Sequence, residues 1–238
     1  METLNKMLED LINKGSYFVD EDNKIVLTRE HLGETLAGNY EASIMALQDG
    51  NLLKAFKACD LDAYNYLNEL QSKDLDLSLV LFHLQYFLNK NLPLSFKETV
   101  FKDLKSFGQL LFDNRIDDYI IEEILKNQIT SKYLKIKGID EVSKVMFDNI
   151  VLAENLVNEQ FEVAKKLVAY ALLEKEDYTY ASKKFNSIEE LYDFLLQKKK
   201  LMRFSKTFKE DYNFMAWIIY LGKYDLVKLW SERIQYFD

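Results

Sequence analysis

Apolar residues recur along most of this chain at the three- and four-residue spacing of a helix face, and the places where that spacing breaks mark the elements. In residues 1–14, Leu4, Met7, Leu8, Leu11 and Ile12 share one face and Gly15 follows as a C-cap, which predicts a helix. The spacing changes between Tyr17 and Thr28. Tyr17-Phe18-Val19, the turn-rich Asp20-Glu21-Asp22-Asn23 and Ile25-Val26-Leu27 predict a short β-hairpin, the one strand pair this pattern offers. A lone hairpin is marginal in water, so it must pack on helices.

Beyond Thr28 the pattern reads as helix after helix. Ser95-Phe96-Lys97-Glu98, just after Pro93, and Ser187-Ile188-Glu189-Glu190 both match the capping box, in which serine and glutamate satisfy the first orphan amides of a helix. Further starts are expected near Asp60 or Asp62, near Ser72 or Asp74, at Asp117 and Asp140, and across residues 208–212. Stops are expected at Gly50, at residues 89–91, at Asn114 and at Gly138. This predicts roughly ten to twelve helices of about three to four turns. One proline and seven glycines in 238 residues leave little else to interrupt them.

One local pattern returns. Residues 156–167, Leu-Val-Asn-Glu-Gln-Phe-Glu-Val-Ala-Lys-Lys-Leu, align position by position with residues 219–230, Ile-Tyr-Leu-Gly-Lys-Tyr-Asp-Leu-Val-Lys-Leu-Trp, and more loosely with residues 46–56. Each reads as the end of one helix, a tight turn and the amphipathic start of the next. In these stretches the chain resembles ankyrin- and tetratricopeptide-type helical repeats, without their fixed period and without the Thr-Pro-Leu-His motif. The resemblance implies stacked helix pairs. The expected fold is therefore all-α: stacked antiparallel helical hairpins, solenoid-like or an irregular bundle, with a small N-terminal β-hairpin. Residues 1–238 are expected to form one domain, with a possible division into an acidic part with the hairpin, 1–92, and a helical part, 93–238.

Composition narrows the chemistry. With 48% hydrophobic residues the chain can bury a sizeable core. Its lone cysteine, Cys59, cannot close an intramolecular disulfide, the first residues hold no apolar leader, and no apolar run is long enough to span a bilayer, so a reducing cytoplasm is the expected compartment. A net charge of −8 argues against a general nucleic-acid binder. The charge is uneven. Asp20, Glu21, Asp22, Asp60, Asp62, Asp74 and Asp76 stand out in an acidic first hundred residues, whereas Lys198, Lys199, Lys200, Arg203, Lys206 and Lys209 form a basic segment interleaved with Leu201, Phe204 and Phe208.

No phosphate-cradling glycine loop, zinc-ligand spacing or Gly-x-Ser-x-Gly elbow occurs, so no cofactor, metal or catalytic residue is predicted. His31 and His83 stand 52 positions apart; His83 lies on a strongly apolar helix, His31 near a helix start, and Cys59 reads as a small packed hydrophobe. The pairs Glu122-Glu123 and Glu189-Glu190 point about 100° apart on a helix and cannot share a substrate. The aromatic stripe Phe214, Trp217, Tyr220 and Tyr224, continuing to Trp230, is expected in the core. The function that fits is a non-catalytic protein binder, an inhibitor or immunity-type protein of bacterial or phage origin, whose acidic residues meet a basic partner. The alternatives are a nucleic-acid-associated regulator working through the basic segment, and an enzyme with a motif-free carboxylate site.

Overall fold

A computed structural model describes residues 2–19, 26–197, 211–223 and 225. Asp20, Glu21 and Asp22, the basic segment from Lys198 to Lys209, and Trp230 lie outside the described residues. Fourteen helices and three two-stranded antiparallel pairs are present among the described residues, so the helical class expected from the periodicity holds. The chain divides into two compact units, Met1–Lys102 and Asp103–Asp238.

In the first unit, α1 (Glu2–Lys14) buries Leu4, Leu8 and Leu11. Strands β1 (Phe18–Val19) and β2 (Val26–Leu27) pair with Phe18 opposite Leu27. Five helices follow: α2 (Arg29–Gly38), α3 (Tyr40–Gln48), α4 (Asn51–Cys59), α5 (Leu61–Gln71) and α6 (Leu77–Leu88). Helix α1 packs on α4, and α2 on α6, around Leu32, Leu36, Leu52, Phe56 and Leu84. The α2–α6 approach depends on Gly33, where an added Cβ would lie 2.9 Å from Asn89 Cβ and 3.1 Å from the Gln85 carbonyl. Asp60 caps α5, accepting from the Ala63 amide at 3.0 Å. The helix expected from Ser72 or Asp74 starts later, at the N-cap Asp76, because the Ser72 hydroxyl turns back to the Glu69 carbonyl and Asp74 takes φ 52°.

The capping box expected at Ser95 is not one. Residues 95–100 form a second hairpin, β3 (Ser95–Phe96) with β4 (Thr99–Val100), turning at Lys97 with φ 54°. Ser95 gives its amide to the Tyr86 hydroxyl at 2.9 Å and takes the Gln85 side-chain amide at 3.0 Å, so its polar groups are spent on α6. Leu92, Leu94 and Phe96 are buried with a period of two, the strand spacing.

The second unit begins with α7 (Leu104–Phe112), capped by Asp103. Then come α8 (Asp118–Lys126), α9 (Ile129–Ile136), the single turn α10 (Ile139–Val142), α11 (Lys144–Leu156) and α12 (Phe161–Leu173). A third hairpin, β5 (Tyr178–Tyr180) with β6 (Lys183–Phe185), was also unexpected: its two-residue turn puts Ala181 and Ser182 at φ 48° and 63° without a glycine to announce it. Helix α13 (Ile188–Gln197) opens on the expected capping box: the Ser187 hydroxyl accepts from the Glu190 amide at 3.2 Å, while the Glu190 carboxylate reaches back to the Asn186 amide at 3.1 Å. The last described helix is α14 (Tyr212–Tyr220), capped by Asp211.

Helix α12 is the core of this unit and packs against α7, α11 and α14. Every residue from Val163 to Leu172 is buried, as a helix covered on all sides requires. Gly108 lets α7 approach it, since a Cβ there would meet Leu172 Cβ at 2.9 Å. Trp217, fully buried, stacks on Tyr178 at 5.3 Å and donates its indole N–H to the Glu176 carbonyl at 2.7 Å.

Candidate protein-binding face

The carboxylates expected to bind a partner receive different placements. Asp60 is occupied within the fold. Besides capping α5, its other oxygen accepts from the Tyr17 hydroxyl at 2.8 Å and lies 3.1 Å from Arg29 Nε. The Arg29 guanidinium sits 4.5 Å over the Phe87 ring, which stacks on Tyr66 at 4.2 Å. Burial first, and then the hydrogen bond to Asp60, hold the Tyr17 hydroxyl far above the ordinary tyrosine range. The second unit repeats the device: Tyr178 donates at 2.6 Å to Asp211, whose other oxygen caps the Phe214 amide.

Asp62, Asp74 and Asp76 are exposed. Asp62 stands on the outer face of α5, whose opposite face buries Ala63, Leu67 and Leu70. Seven residues on, Glu69 shares that outer face with Asn65 between them, and Leu61 beside Asp62 is 65% exposed. Asp74 lies in the turn after α5, and Asp76 uses one oxygen to cap the Ser78 amide. The rise of a helix separates Asp62 from Glu69 by about 10 Å along α5, whereas Asp74 and Asp76 lie beyond its end, in the connection to α6. Glu69, paired with Lys73 at 2.6 Å, was missed in the sequence reading although its spacing from Asp62 reveals it. The first unit carries sixteen Asp and Glu against ten Lys and Arg, a net −6; the second carries 23 against 21.

No protein family, curated protein or solved structure matches the chain.

The buried ionisable groups are bound into helix ends. Lys166, 4% exposed, donates to the Leu111 and Phe112 carbonyls at 3.2 and 2.6 Å and to Asn114 Oδ1 at 2.8 Å, closing the C-terminus of α7; burial lowers its pKa. Lys165 pairs with Asp118 and Glu162, each at 2.9 Å. Glu154 on α11, 4% exposed, accepts from the Ser131 amide on α9 at 3.0 Å. Burial pushes the Cys59 thiol up to about 11, which keeps it protonated at neutral pH. His83 meets Phe82 edge-on at 5.5 Å. Among the described residues no group of three His, Cys, Asp or Glu could hold a metal ion, and no described helix is long and apolar enough to cross a membrane.

Proposed function

We propose that this chain is a non-catalytic protein-binding module, an inhibitor or immunity-type protein of bacterial or phage origin acting in the cytoplasm. It captures, one to one, a partner with a basic surface. The observation that carries this reading is the set of exposed carboxylates on α5 and in its connection to α6, Asp62, Glu69, Asp74 and Asp76, on a unit of net charge −6, with Leu61 exposed beside Asp62. Exposed carboxylates steer a basic surface into contact, while an exposed leucine supplies apolar area at the contact. The helix pairs α3–α4 and α11–α12, each joined by a tight turn and in contact, support a reading of stacked helical hairpins.

The test compares two baits, the full chain and the same chain with Asp62→Lys, Asp74→Lys and Asp76→Lys, followed by titration with the purified retained protein. Support is a basic protein bound one to one by the unaltered chain, at least tenfold more weakly by the altered one, and more weakly as salt rises. Equal binding by both chains overturns the reading.

A further inference from the structure

Helix α9 does not cap its own N-terminus. Its N-cap, Gln128, takes a left-handed φ of 54° and gives no side-chain hydrogen bond to the helix. The acceptor comes instead from another helix, 23 residues on: the Glu154 carboxylate of α11 takes the Ser131 amide at 3.0 Å. Beside it, Thr130 is fully buried and its hydroxyl has no hydrogen-bond partner. On the other side of the same turn, Lys132 folds its ammonium back onto the Asn127 carbonyl at the end of α8. The α8–α9 turn is thus held between one buried acid and one half-buried base.

We propose that Glu154 is a proton-operated latch on the α8–α9 turn: neutral, it closes the N-terminus of α9 in the apolar interior; ionised, it loosens that closure. The physical reason is the balance at a buried carboxylate. The helix N-terminus favours its negative charge, but removal from water opposes it more strongly. Burial pushes Glu154 up to about 7, against hydrogen bonds from Ser131 and Thr130 and the charge of Lys132, while burial pulls Lys132 down.

Most of the other charged groups on the surrounding helices are paired or exposed. On α12, Lys165 and Glu162 pair with each other, Lys165 also holds Asp118 of α8, and Lys166 closes α7. On α8, Glu122 pairs with Lys126 at 2.6 Å and Glu123 is half-buried. Lys135 of α9, Glu141 of α10, and Lys144 and Asp148 of α11 itself are exposed; Lys137 after α9 and Asp140 of α10 are half-buried. The latch therefore reads the proton concentration through Glu154, with Lys132 as the charge acting on it.

Hydrogen exchange of the full chain tests this. With an ordinary glutamate in the opened turn, the closed-to-open ratio at the Ser131 amide, corrected for intrinsic exchange, should fall about 70-fold between pH 5 and pH 8. In Glu154→Gln, which keeps the acceptor and cannot ionise, it should stay constant within a few-fold. A fall of less than tenfold in the unaltered chain, or an equal fall in both chains, overturns the proposal. Carboxyl carbon NMR of the unaltered chain guards against a variant that folds poorly: a Glu154 midpoint above 6 supports the latch, and one at or below 6 overturns it.

Discussion

Replacing Lys166 with methionine isolates what a buried ammonium does for the second unit. Methionine keeps most of the aliphatic stem and its packing in α12, so little cavity is created, and the loss is that of the donor. The Leu111 carbonyl still accepts from the Asn114 amide at 3.3 Å. The Phe112 carbonyl and Asn114 Oδ1 are left with no donor among the described residues. Asn114 is exposed and its oxygen can turn to water, so one orphaned acceptor at about 1–3 kcal/mol, partly offset by no longer burying a charge whose pKa is already lowered, leaves a net loss of about 1–2 kcal/mol. Both tryptophans, Trp217 and Trp230, come after Asp103 in the sequence, and Trp217 is buried in the second unit, so tryptophan fluorescence in urea reports on that part of the chain. With a slope of about 1–3 kcal/mol per molar urea, the midpoint should fall by roughly 0.5–1 M. An unchanged or higher midpoint would refute the reasoning, because the ammonium would then cost as much as its three hydrogen bonds return.

Gly33→Ala forces a methyl against Asn89 Cβ and the Gln85 backbone and should destabilise the first unit by about 1–3 kcal/mol in urea unfolding followed by circular dichroism; a neutral result contradicts the close α2–α6 approach. Tyr17→Phe removes the hydroxyl that Asp60 accepts and should cost about 1–2 kcal/mol by the same assay, and no loss would mean the bond is not formed in solution. Glu154 gives a pH signature of definite sign. Its folded pKa is raised from 4.5 to about 7, so its stabilising contribution is full below pH 4.5 and lost as pH rises through 7, about 3 kcal/mol in all. Glu154→Gln should therefore match the unaltered chain near pH 4.5 and exceed it at pH 8; parallel stability curves contradict this.

Where local pattern decides an element, it was readable. The stripe Leu4, Leu8, Leu11 and the caps at Asp60, Asp117 and Ser187 depend on residues within one or two turns, and the structure places them as expected. The failures lie where distant partners decide. Ser95 carries the letters of a capping box, but its amide is taken by a hydroxyl on α6, nine residues back. Nothing in the sequence around Lys165 and Lys166 signals their distant acceptors, Asp118 and the end of α7, about fifty residues away. Asp60 was legible as a cap, but the contact that occupies its other oxygen, with Tyr17 43 residues earlier, was not. The acidic surface was half legible: Asp62, Asp74 and Asp76 stood out by charge, while Glu69 emerges once the outer face of α5 is known.

Titration calorimetry of the purified partner against the full chain, at low and physiological salt, bears hardest on the binding role of those carboxylates. The expected result is one-to-one binding that weakens with salt and loses at least tenfold in affinity when Asp62, Asp74 and Asp76 are reversed to lysine. Binding that is indifferent to both salt and the three reversals would contradict it.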